Sequence, residues 1–156
     1  MKFRFVFTGK TRISYIDAGI MDYFKRLEHY VKSELIVLPD IRNTKSMSRE
    51  EQMKREGEGL LKAFPENSRI ILLDEKGKKF DSLSFAGYLQ QKMMEGRDIC
   101  MAIGGPYGFS PEVRKKSDTL ISLSSMTFSH QMVRLILLEQ VYRAFTIMKN
   151  EPYHHS

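Results

Sequence analysis

Residues 99–130 read ICMAIGGPYGFSPEVRKKSDTLISLSSMTFSH, and this stretch decides the fold. It covers two apolar runs of strand length, Asp98–Ile103, which opens one residue before it, and Leu120–Leu123. The first ends in a glycine pair and the second in a serine-rich loop. Between them Ser110 and Pro111 predict a short helix, as N-cap and first helical residue. Upstream, Arg69–Asp74 (RIILLD) is a continuous apolar run of the kind buried on both faces of a sheet. The EKGKK that follows reads as a turn, and a helix is predicted from about Ser84, turning Phe85, Tyr88, Leu89 and Met93 inward.

Further out, Lys2–Phe7 (KFRFVF) alternates as a strand, and Tyr15–Val31 sets Ile16, Ile20, Tyr23, Phe24, Leu27 and Tyr30 at helical spacing. Glu34–Leu38 is a short strand stopped by Pro39. Asp40–Met47 reads as an exposed loop, and Ser48 with Glu51 forms a capping box opening a helix to about Phe64. The last helix is predicted from about His130 to Met148. Strands and helices alternating through one short chain give an α/β layer, a mostly parallel sheet with helices on both faces. No repeat, linker or low-complexity segment divides it, so residues 1–156 are expected to form a single domain.

With 156 residues, 42% of them hydrophobic, the chain can bury a core without staples. The single cysteine, Cys100, has no partner within the chain. No signal peptide or apolar run of membrane-spanning length is visible, so a soluble cytoplasmic protein is expected. Lys and Arg outnumber Asp and Glu by 25 to 19, a net charge of +6. That excess is either ordinary solubility charge or the footprint of an anionic partner, with RNA or a phosphorylated ligand the natural candidates.

Several motifs bear on chemistry. Gly9-Lys10-Thr11 imitates the end of a phosphate-binding P-loop. The glycine needed five residues earlier is Arg4, which excludes it. Gly104-Gly105-Pro106-Tyr107-Gly108 has the wrong spacing for a dinucleotide fingerprint. It is either a plain turn or, with the Leu123–Phe128 loop, one side of a ligand pocket at the carboxyl edge of the sheet. That pocket forms if both preceding strands are central.

On the final helix Arg134 falls among Leu137, Leu138, Val141 and Phe145. A buried arginine needs an anion or hydrogen bonds. It is therefore either an internal salt bridge or an anchor for a carboxylate, phosphate or base. His130 lies one turn earlier on nearly the same face. Met132, Ile136 and Ile147 intrude on the polar side, so one side of this helix should meet the sheet and another a second copy. Pro152, Tyr153 and His154 are either a frayed terminus or a stacking and titratable set for holding a base. The four histidines and one cysteine show no metal-ligand spacing, so no metal site is expected.

Five blocks in order, Ile103–Gly108, Leu123–Phe128, His130–Arg134, Glu139–Ala144 and Pro152–His154, resemble the signatures of the ribosomal RNA large subunit methyltransferase H family of the SPOUT superfamily. The resemblance covers essentially the whole chain and departs at Ser129, where the family usually has proline. It implies a parallel sheet with a deep C-terminal trefoil knot within about residues 69–150, and a homodimer whose interface completes each site. It further implies S-adenosylmethionine as cofactor, held by Leu73, Gly104, Gly105, Leu123, Ser124, Ser125, Met126, Thr127 and Phe128. The implied reaction is methylation of N3 of a pseudouridine in helix 69 of 23S rRNA, on assembled ribosomes. Arg134, His130, Tyr153 and His154 are then the candidate catalytic residues. Another RNA such as tRNA, or a non-catalytic ribosome-binding module, are the competing readings.

Overall fold

The computed structural model describes residues 1–155. Five strands, β1 (Phe3–Thr8), β2 (Ser33–Leu38), β3 (Arg69–Lys79), β4 (Ile99–Ile103) and β5 (Thr119–Ser122), form one sheet. Its order is β2-β1-β4-β3-β5, and every pairing is parallel. Five helices connect and follow the strands: α1 (Ser14–Leu27), α2 (Arg49–Ala63), α3 (Ser82–Met93), α4 (Pro111–Lys116) and α5 (Met132–Met148).

Strand alternation divides the core in two. Phe3, Phe5 and Phe7 of β1, with Ile99, Met101 and Ile103 of β4, pack beneath α1, α3 and α5. Val6, Leu72, Cys100 and Ala102 point the other way, toward Leu60 of α2 and Val113 of α4. Both faces of the central strands are thus covered, which is why β1, β3 and β4 read as near-continuous apolar runs. Burial pushes the Cys100 thiol up to about 12, so it behaves as a small core hydrophobe.

The structure corrects three local expectations. EKGKK is not a turn: β3 continues through it to Lys79, with an irregularity between Leu73 and Lys78 that lets Ile121 and Ser122 of β5 pair with Lys78 and Lys79. The charges stay exposed because β5 is an edge strand. A Cβ on Gly77 would lie 2.5 Å from the Ile121 nitrogen, so only glycine fits there. The reciprocal capping box is at Asp81 and Ser84, whereas Ser48 accepts from the Glu51 N–H without a return bond.

The third correction concerns α5, which begins at Met132 rather than His130. Ser129 precedes it, its hydroxyl accepting from the Met132 N–H at 3.2 Å and its carbonyl from Val133. The residue that departs from the family pattern therefore helps to seat the helix. Along its length α5 lies between α1 and α3, and no residue from Met132 to Met148 is exposed.

Candidate active site

Because the sheet is parallel, the carboxyl ends of its strands share one edge, and two cavities open there. The larger, of about 710 Å³, lies above β3, β4 and β5. Leu73, Gly104, Gly105, Leu123, Ser124, Met126, Thr127 and Phe128 all line it, and Ser125 does not. The expectation that both flanking strands are central holds for β4 alone. β5 is at the edge, yet it pairs with β3, and that suffices to bring the glycine and serine loops together.

The serine loop is built to present main chain. Among the described residues, no backbone group of Ser124–Phe128 bonds another backbone group. Local side chains hold its shape instead: Ser124 Oγ accepts from the Met126 N–H at 3.0 Å, and Ser122 Oγ donates to the Ser124 carbonyl at 2.9 Å. Free amides and carbonyls facing a cavity are the means by which main chain reads a ligand. Gly108 turns the facing loop with φ of +83°, a conformation open to glycine. Ile121, Phe109 and Val133 supply apolar wall.

Sequence reading missed the polar rim of this cavity. Asp74, at the end of the apolar part of β3, accepts from Arg114 Nη2 of α4 at 2.7 Å, and Arg49 stacks over Tyr107 at 5.1 Å. Glu50, Glu75 and Lys76 complete the rim. The Arg–Asp pair joins residues 40 positions apart, beyond any local pattern.

The smaller cavity, of about 200 Å³, lies above β1 and β2. His130 and Pro106 line both cavities. Exposed where the two cavities adjoin, His130 titrates below its ordinary 6.5. Partial desolvation is the first cause, and the positive charges of Arg134 and Arg12 add to it. The ring is neutral near pH 7 and able to accept a proton.

His130 is held by its neighbours. Gln131 accepts from the Arg12 N–H at 2.7 Å and donates to the Lys10 carbonyl at 3.3 Å. Arg134, with 0% of its surface exposed, donates to the carbonyls of Thr8 and Gly9 and to Thr11 Oγ1. Its guanidinium also sits 5.1 Å from the Phe7 ring centre. Neither a salt bridge nor an open anchor, Arg134 clamps the loop after β1. It lines neither cavity.

Tyr153 and His154 also stand apart from both cavities. Tyr153 donates to Glu139 at 3.0 Å, meets the Tyr23 hydroxyl at 3.1 Å and packs edge-on against Tyr142. His154 Nδ1 lies 3.2 Å from Arg143. Within one chain the four candidate catalytic residues are not assembled. Among the described residues there is no cluster able to hold a metal ion, and no helix is long and apolar enough to cross a membrane.

Comparison with known proteins places this arrangement. A protein of Christiangramia forsetii named ribosomal RNA large subunit methyltransferase H is 50% identical over 99% of both chains. One of Parabacteroides distasonis bearing the same name is 49% identical over 99% of both. Among solved structures, a probable methyltransferase from Bordetella pertussis superposes with a TM-score of 0.58 at 10% identity, covering 92% of this chain and 93% of that one. The tRNA (m1G37) methyltransferase of Aquifex aeolicus also gives 0.58, at 17% identity, over all of this chain and 76% of that one. These two show the shared fold. The family description "Predicted SPOUT methyltransferase" matches residues 1–154. With that match and full-length relatives near half identity, the chain belongs to the SPOUT methyltransferase family.

Proposed function

We propose that this chain is a 23S rRNA methyltransferase that uses S-adenosylmethionine to methylate N3 of a pseudouridine in helix 69 of assembled ribosomes. The observation that carries this reading is the Ser124–Phe128 loop, free of main-chain-to-main-chain bonds, set with the glycine loop around one cavity. A cavity of about 710 Å³ lies within the range of small-molecule sites, roughly 300–1,000 Å³. Its apolar walls suit an adenine, and its rim carboxylates suit a cationic ligand. The residues fit the cofactor. Leu73, Gly104, Gly105, Leu123, Ser124, Met126, Thr127 and Phe128 would hold it. When bound, S-adenosylmethionine supplies an electrophilic methyl group on a sulfonium.

The chain's own groups supply orientation and a proton acceptor. Methyl transfer between two held partners gains chiefly from positioning. The N3 proton has to leave, and neutral His130 at the cavity mouth is the acceptor this geometry favours. Arg134 acts through the loop it clamps, fixing the floor on which the base rests. Tyr153 and His154, set away from their own cavity, are assigned to the site of a second copy. The homodimer therefore belongs to this reading, and the exposed Ile13, Tyr15 and Met21 at α1 offer apolar surface for it. So does the C-terminal trefoil knot, whose crossing is favoured by β4 returning between β1 and β3 before the chain leaves for β5. A cytoplasmic location follows from the ribosomal substrate.

The test is transfer from labelled S-adenosylmethionine to ribosomes lacking the modification, with the product mapped by mass spectrometry. Methyl on N3 of the helix 69 pseudouridine supports the reading. Cofactor binding with transfer only to another RNA such as tRNA would overturn the substrate and leave the chemistry.

A further inference from the structure

The smaller cavity contains a feature that methyl transfer, as described so far, leaves unused. Glu56 of α2 is 7% exposed, yet its Oε1 has no hydrogen-bond partner. Its Oε2 receives only a long bond, 3.4 Å, from Gln52 Nε2. Thr8, 9% exposed at the end of β1, likewise has an unpartnered Oγ1. Glu56 takes part in no ion pair among the described residues. Two orphaned polar groups lining one cavity are costly unless something else satisfies them.

Their position is specific. The Glu56 carboxylate lies directly behind Gly105, where an added Cβ would overlap it, and Gly105 lines the larger cavity. Pro106 and His130 line both spaces, so the two cavities are neighbours. At about 200 Å³ the smaller one holds several waters' worth of volume, at ~30 Å³ each, and so has room for one flat six-membered ring. On its lining Arg12 is paired with Asp40 at 3.1 Å, and Lys10 adds a positive charge able to meet a nucleotide's phosphate.

We infer that this cavity receives the acceptor nucleobase, with Glu56 accepting a hydrogen bond from N1–H of pseudouridine and the Thr8 hydroxyl donating to the adjacent O2. The inference rests on the proposed function and names the residues that would make it selective. Pseudouridine is joined to ribose through carbon, so N1 keeps its hydrogen and the ring has two separate N–H groups. Docking the N1–H edge on Glu56 leaves N3–H free to face His130 and the methyl donor. Uridine has one N–H, at N3. Satisfying Glu56 with it would bury the atom to be methylated, and leaving Glu56 unsatisfied would forfeit a buried hydrogen bond. Burial also raises the Glu56 carboxyl above its ordinary 4.5, and either protonation state retains an acceptor oxygen.

The experiment compares wild type, Glu56→Met and Thr8→Val on ribosomes carrying pseudouridine or uridine at the acceptor position. Methionine removes the acceptor and fills similar space, and calorimetry follows cofactor affinity in parallel. The expected result is a preference for pseudouridine that Glu56→Met lowers about tenfold, with cofactor affinity unchanged. A second arm follows the Thr8 methyl resonance in wild type as pseudouridine monophosphate or uridine monophosphate is added. It is expected to move with the first and much less with the second, and the methyl assignment transfers to Glu56→Met, where the difference should vanish.

An unchanged preference in Glu56→Met would overturn the inference. So would a fall in cofactor affinity that accounts for the lost transfer, since Glu56 would then serve the larger cavity. A Thr8 methyl indifferent to both nucleotides would do the same. If wild type methylates neither ribosome, the proposed function fails, and the resonance arm still decides the cavity.

Discussion

Arg134 Nη2 donates to the Thr8 carbonyl at 2.7 Å, tying the last helix to the end of the first strand across 126 residues. The same guanidinium bonds the Gly9 carbonyl and Thr11 Oγ1, so one side chain fixes the loop that floors the smaller cavity.

Arg134→Ala would leave buried carbonyls unpaired and open a void beside Phe7. A loss of about 3 kcal/mol is expected, from orphaned acceptors plus lost packing. For a domain of this size that lowers the melting temperature by roughly 6–12 °C. Transfer should be abolished with cofactor affinity nearly intact. Scanning calorimetry and a titration with S-adenosylmethionine check both, and a wild-type melting point would remove Arg134 from its supporting role.

If His130 takes the N3 proton, it must be neutral to act. Its lowered pKa places the acid limb of the rate profile below pH 6.5, with activity lost as pH falls through it. His130→Asn should reduce the rate and erase that limb. A limb unmoved in the variant would assign it to another group.

Glu56 predicts a pH dependence of stability of its own. Its carboxyl titrates above 4.5 when folded, so the native state holds the proton more tightly than the unfolded chain. Stability is therefore fullest below the unfolded value and declines as pH rises through the folded one. Glu56→Gln removes this loss. Its melting temperature should exceed that of wild type at pH 7.5, and the gap should close near pH 4.5. Parallel curves at both values would contradict the burial argument.

The placement of Tyr153 and His154 away from their own cavity leads to a complementation experiment. Chains ending at Asn150 and chains carrying His130→Ala should each be inactive alone. Mixed dimers contain one complete site, an intact cavity from the truncated chain with a terminus from its partner, and should recover transfer. No recovery, with dimers verified by native mass spectrometry, would return the terminus to its own subunit.

The parts of this molecule legible in sequence are those with local causes. Alternating aromatics in β1, the apolar runs of β3 and β4, and the Ser110-Pro111 start of α4 each carry their own signal. The extension of β3 does not, because what makes Lys78 and Lys79 strand is the arrival of β5 some 40 residues later. Glu56 was hidden for a similar reason. In a run such as REEQMKREGEG it reads as one more solvated charge. A close approach of helices buries it: a Cβ on the next residue, Gly57, would lie 2.6 Å from Ser110 Oγ. Most of the larger cavity's lining was readable through its loops, while the smaller cavity is made of residues that meet only in three dimensions.

The clamp on the first loop also sets a timetable. β1 is made before every other element of this fold, yet the donors for the Thr8 and Gly9 carbonyls arrive only with α5, after every strand. Contacts this distant in sequence are slow to form, and an incomplete chain exposes surface that later segments would cover. Until α5 is synthesised and settles between α1 and α3, the nascent polypeptide holds an unfinished core beside an unfixed loop. Translation must deliver the keystone before the arch can stand.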